Sequence, residues 1–298
     1  MVMIRIGHII NPVKVTASSD LYRAQPVTFA SMRAACDHLL STSQVKLFGV
    51  GFPDDLSLLP AYFETLSPLE RSVMDVGAFR NSRKLPLIAD LLRPIDVDYV
   101  VYTNVDIALM PYFYRYIVKK IESGSDSLII NRRVIDEDLT DLDEMYAQVG
   151  TSHPGYDCFV FRRELLDHFD LGTSCIGANY IGRVLIANLI AFSRKLEIIK
   201  DAHLTFHLGN DGAWLTHNYS EFDIHNKEQA YQIINRLIEL CDEESKVLQL
   251  EEILTFLDDR EQLDMEKLMV HPNPTEENKD VKWSLKRKIK FKLRQLLS

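Results

Sequence analysis

Short apolar runs that alternate with helix-sized stretches constrain this chain more than any other feature. Ile4–Ile9, Val45–Val50, Tyr99–Tyr102, Ser127–Ile130 and Cys158–Phe161 each read as a buried strand. Between them lie stretches that suit helices, about Thr28 to Leu40, Lys84–Leu92 and Tyr112–Ile121. Leu69–Val76 fits either a strand or a short helix. A strand too apolar to leave one face in water needs cover on both sides, and helices of this size supply it. The pattern therefore predicts an α/β fold with a mostly parallel sheet between helices.

The run Tyr99–Tyr102 empties into Thr103-Asn104-Val105-Asp106, ahead of a helix that Pro111 is well placed to start. Polar groups at the carboxyl end of a buried strand lie where open α/β sheets bind their ligands. Read as extended chain, Asn104 and Asp106 face one side. An amide oxygen and a carboxylate there suit a hard cation that also holds phosphate oxygens. An isolated Asp more often starts a turn or caps a helix, so this segment alone does not decide the matter. Three other segments read as loops that carry reactive groups. They are Arg80–Lys84, His153–Asp157, and His203–His207 running on to Trp214.

Composition removes several classes. At 298 residues and 46% hydrophobic, the chain can bury a sizeable core. No signal-peptide pattern opens the sequence, and Ala178–Phe192, the most apolar helix candidate, is too short to span a bilayer. Cys36, Cys158, Cys175 and Cys241 form no CxxC pair and read as buried thiols of a reducing, cytoplasmic setting. The net charge of −9 hides a contrast. Residues Val281–Ser298 hold seven basic side chains and no acid, which leaves 27 basic against 43 acidic elsewhere. An acidic body argues against nucleic acid as a partner.

Beyond Asn226 the pattern is helical only, with Ile233, Leu237 and Leu240, then Leu248, Ile253, Leu254 and Leu257, at helical spacing. The expected division is a catalytic body over 1–225, a helical extension over 226–270, a linker over 271–280 and a basic amphipathic helix over 281–298. That last helix suits the anionic inner face of a membrane, and equally suits packing on the acidic body or in a homo-oligomer interface.

Taken together, these residues resemble the GT-A fold of nucleotide-sugar-dependent glycosyltransferases. The resemblance covers roughly residues 1–220. It implies a UDP- or GDP-sugar donor, a glycan or lipid-linked acceptor, and Mn²⁺ or Mg²⁺ on the diphosphate. Asn104-Val105-Asp106 matches the family's acidic DxD motif, with Asn in place of the first Asp. His207 resembles the late histidine that completes the metal shell, which makes Asp106, His207 and Asn104 the implied metal ligands. Asn11, after the first strand, lies where the nucleotide base sits, and Arg80 and Lys84 match basic positions near the base or diphosphate. Asp157, then Asp211, are the implied bases of an inverting reaction, whereas a retaining one would need none. Two other readings stand beside this one: a sugar nucleotidyltransferase, and a catalytically silent GT-A-like scaffold. The missing Gly-rich basic loop after the first strand counts against the former, and no GxxxxGK[ST] sequence supports a P-loop enzyme.

Overall fold

Val100 and Val101 are chain neighbours, both fully buried, yet they belong to different cores. In the computed structural model they lie on β4 (Tyr99–Thr103), whose side chains alternate between two apolar layers. The structure describes residues 3–39, 43–200, 202–209 and 220–258. Strand β4 lies between β1 (Ile4–Ile10) and β7 (Thr151–Arg162). Beyond β1 come β2 (Ser43–Gly49) and the two-residue edge strand β3 (Glu64–Thr65). On the other side β7 pairs with β6 (Ser127–Ile135). One edge of β6 is shared by β8 (Leu196–Ile199) and β9 (Thr205–Leu208), and β9 pairs with β5 (Ala108–Leu109).

Strands β1, β2, β3 and β4 run parallel; β7 runs against both β4 and β6. Helices α1 (Asp20–Asp37) and α4 (Phe113–Glu122) cover one face, burying Phe29, Met32, Phe113 and Ile117. On the other face lie α3 (Ile88–Leu91) and α6 (Ile181–Phe192), with α7 (Ser220–Leu240) and α8 (Glu244–Asp258) packed on α6. Ile233, Leu237, Leu250 and Ile253 join the same core as Val100 and Phe161, so the C-terminal helices pack as part of the body. Two short helices, α2 (Pro53–Leu56) and α5 (Leu142–Tyr146), lie in connections.

Several boundaries differ from the sequence reading, each for a physical reason. Helix α1 starts eight residues earlier than the apolar spacing suggests, with Pro26 inside it. Pro lacks the amide hydrogen, so its place in the sequence reads as a break. Lys84–Leu92 yields only the single turn α3; Leu87 bridges to Cys175 and Ile176 donates to the Pro86 carbonyl, so the segment runs extended. Leu69–Val76 contains only a 3-10 turn, Val73–Asp75, capped by Ser72. His153–Asp157 is part of β7 and not a loop; a long antiparallel strand can carry polar residues where it borders a cleft. Linker 271–280 and the basic segment 281–298 lie outside the described residues. Among the described residues, no helix is long and apolar enough to cross a membrane.

Candidate functional site

Strand register assembles a polar floor at the carboxyl ends of β1 and β4. Thr103 pairs with Cys158, which sets Asn104, one step past the strand, across from Asp157. The register of β6 against β7 shifts on either side of Asn131, the extra residues lying on β7. Such bulges re-aim side chains, and Arg132 emerges there onto the same floor, only 5% exposed. Phe206 pairs with Ala108 across β9 and β5, which carries the next residue, His207, back towards Asp106.

The contacts fall into two groups. Asp106 Oδ2 lies 3.3 Å from His207 Nε2. His207 Nδ1 lies 2.8 Å from the Gly209 carbonyl, which can only accept, so Nδ1 carries a proton. In a neutral ring, Nε2 then offers a lone pair to a carboxylate that also only accepts. Such a pair requires a proton or a cation between the two atoms. The second oxygen of Asp106, Oδ1, is buried without a hydrogen-bond partner among the described residues. Burial pushes the Asp106 carboxyl up, but the His207 bond and charge, with Arg132, outweigh it and hold the group below the ordinary carboxylate value. The second group centres on Asp157. Its Oδ1 lies 3.5 Å from Asn104 Nδ2, and Asn104 Oδ1 accepts from the Tyr102 hydroxyl at 3.3 Å. Its Oδ2 lies 3.1 Å from Arg132 Nη1, a charge contact rather than an aligned hydrogen bond.

These residues line a cleft of about 1450 Å³. That exceeds the roughly 300–1,000 Å³ of a pocket for one small molecule and suits two substrates together. One end is formed by the loop after β1, where Gln25 grips both the amide and the carbonyl of Val13 at 2.8 Å. Asn11 lines this end, buried, its amide donating to the Val50 carbonyl at 2.7 Å, which joins the ends of β1 and β2. The opposite wall is the segment before α6. Asn226 of α7, fully buried, bonds Cys175 N, Cys175 O and Asn179 O at 2.8–2.9 Å. Tyr180 ends this segment with φ 72°, a left-handed conformation rarely taken by bulky residues.

The structure brings Asn11, Lys84, Asn104, Asp106, Asp157 and His207 to this cleft. Lys84 stands exposed on the rim. Arg80 is exposed away from the lining, its amide held by Glu221, while Arg83 takes a place on the wall. Asp211 lies outside the described residues. Asn104 and Asp106 do not share a side, because Ile107 N bonds Asn104 O in a turn and the strand ends at Thr103. Arg132, Tyr102 and Asn226 were not singled out from sequence; a basic residue inside an apolar strand was the one available signal, at Arg132.

A divalent ion fits what is present. Among the described residues Asp106 Oδ1 has no hydrogen-bond partner, and His207 offers an imidazole nitrogen to the other oxygen, Oδ2. Among the described residues, no group of three or more His, Cys, Asp or Glu could hold a metal. Two protein ligands leave the remaining positions to water and phosphate oxygens.

The fold is shared with S. aureus TarS. A crystal structure of its residues 1–349 in complex with UDP-GlcNAc superposes with a TM-score of 0.52 at 14% identity, covering 85% of this chain and 71% of that one. The same fragment alone gives 0.53 at 14% identity, over 86% and 73%. In complex with UDP it gives 0.52 at 13% identity, over 85% and 70%. The GT-A-like fold expected from the sequence is thereby borne out. No protein-family model matches the chain, and no curated protein matches its sequence.

Proposed function

We propose that this chain is a glycosyltransferase that moves a sugar from a UDP- or GDP-sugar to a hydroxyl of a glycan or lipid-linked acceptor, with a divalent cation at Asp106 and His207. The observation that carries this reading is the Asp106–His207 pair, with its orphaned oxygen, on the floor of a two-substrate cleft. The GT-A-like fold supports it, and the UDP-GlcNAc held by the TarS fragment supports a nucleotide sugar as donor.

Charge on the floor favours a cation. Asp106 and Asp157 against the Arg132 guanidinium leave one net negative charge, which would repel a bare diphosphate. A bound Mn²⁺ or Mg²⁺ would reverse that sign and act as a Lewis acid on the leaving diphosphate. The loop after β1, braced by Gln25, would hold the nucleotide away from the reacting carbon. Asp157 would take the proton from the acceptor hydroxyl, an inverting transfer, with Arg132 holding its carboxylate in place. Asp211 remains a second candidate for this role.

The test is hydrolysis of UDP-GlcNAc, and of a GDP-sugar, with and without Mn²⁺. Stimulation by Mn²⁺ that is lost in Asp106→Ala is expected. Undiminished, Mn²⁺-stimulated hydrolysis in that variant would remove the cation assignment, and no hydrolysis or nucleotide binding by the wild type would sink the transferase reading.

A further inference from the structure

Among the described residues Asn104 has two hydrogen-bonding neighbours, and neither is Asp106. Its Oδ1 accepts from the Tyr102 hydroxyl and its Nδ2 faces Asp157 Oδ1. The orientation follows from chemistry: a carboxylate only accepts, so the amide nitrogen belongs on its side. The turn after Thr103 separates the two side chains, sending Asn104 towards β7 and Asp106 towards β9. Asp157 therefore meets the Asn104 amide at one oxygen and the Arg132 charge at the other.

We propose that Asn104 is a positioning residue for Asp157 and not a ligand of the cation. The floor then has two halves: Asp106 and His207 face the metal and donor phosphates, while Asp157, oriented by Asn104 and Arg132, faces the acceptor hydroxyl. This builds on the glycosyltransferase reading above. It also explains why an amide occupies this position. A carboxylate at 104 would set two negative charges 3.5 Å apart at the base. An amide of the same shape donates instead.

The halves respond differently to substitution. Mn²⁺ binding to the full chain, followed by electron paramagnetic resonance without nucleotide, should weaken at least tenfold in Asp106→Ala and stay within twofold in Asn104→Ala. Asn104→Asp should likewise stay within twofold, since its side chain faces Asp157 and not the cation. In UDP-GlcNAc hydrolysis, where water replaces the acceptor, both Asn104 variants should lose ten- to hundredfold in kcat with less than threefold change in KM. Unchanged metal binding with slower turnover in Asn104→Asp is the signature of the proposal, and this isosteric variant guards against misfolding of the alanine one. The side-chain amide resonance of Asn104 should also move in Asp157→Asn. Tenfold weaker Mn²⁺ binding by Asn104→Ala, wild-type turnover by Asn104→Asp, or an unmoved amide resonance would each overturn it. A wild type without hydrolysis would refute the transferase reading alone, leaving the Mn²⁺ and amide measurements to decide this inference.

Discussion

Replacing His8 should remove part of the protein's sensitivity to acid. His8 is fully buried on β1, with Nδ1 2.8 Å from the Tyr114 hydroxyl and Nε2 2.9 Å from Thr103 Oγ1, directly beneath the cleft floor. Burial pushes the imidazole down from its ordinary 6.5 to about 3. Between those values the unfolded chain holds a proton that the folded chain refuses, so stability falls as the pH drops below about 6.5. By pH 4.5 the unfolded ring has gained two pH units' worth of protonation while the buried ring is still neutral, a loss of about 3 kcal/mol. Against a total of roughly 5–15 kcal/mol that is a large share. Urea unfolding at pH 7.5, 6.5, 5.5 and 4.5 should show the wild type losing about 3 kcal/mol more over this range than His8→Gln. The variant itself should pay a pH-independent cost of about 1–2 kcal/mol for its altered hydrogen bonds. Parallel acid limbs for the two proteins, or a His8 ring resonance that titrates near its ordinary value, would refute the reasoning.

Asn226→Ala removes three buried bonds from its side chain to the backbone of the cleft wall, at about 1 kcal/mol each. It should lower the melting temperature by roughly 6–12 °C, and a shift under about 2 °C would mean the wall holds without its clamp. Thermal melts with UDP added should show stabilisation of the wild type, with Mn²⁺ enlarging it; Asp106→Ala should lose the Mn²⁺ increment, and its retention would place the ion elsewhere. Deleting residues 281–298 should weaken binding to phosphatidylserine vesicles at low salt at least about tenfold while sparing nucleotide binding. Unchanged partitioning would assign the segment to protein packing.

What was legible in the sequence was local. Val100 and Val101 announce a strand buried on both faces, and the polar residues after it mark a binding edge, because both signals lie within a few residues. Strands β5, β8 and β9 gave no such signal: two to four residues cannot show a period, and each is defined by a partner far along the chain. The same division runs through the site. Asp106 and His207 could be proposed from residue type, but their meeting depends on the pairing of Phe206 with Ala108. Arg132 reaches the floor where β7 carries extra residues opposite it, and a register shift of one residue would turn it away. Asn104 is the sharpest case. From spacing alone, two positions apart on extended chain, it shares a side with Asp106. The turn at Asn104–Ile107 undoes that premise, and only the antiparallel register of β4 against β7 shows the neighbour it meets instead, Asp157. An amide beside a base and a carboxylate beside an imidazole are different chemical assignments for two residues of one short motif, and three-dimensional pairing is what separates them.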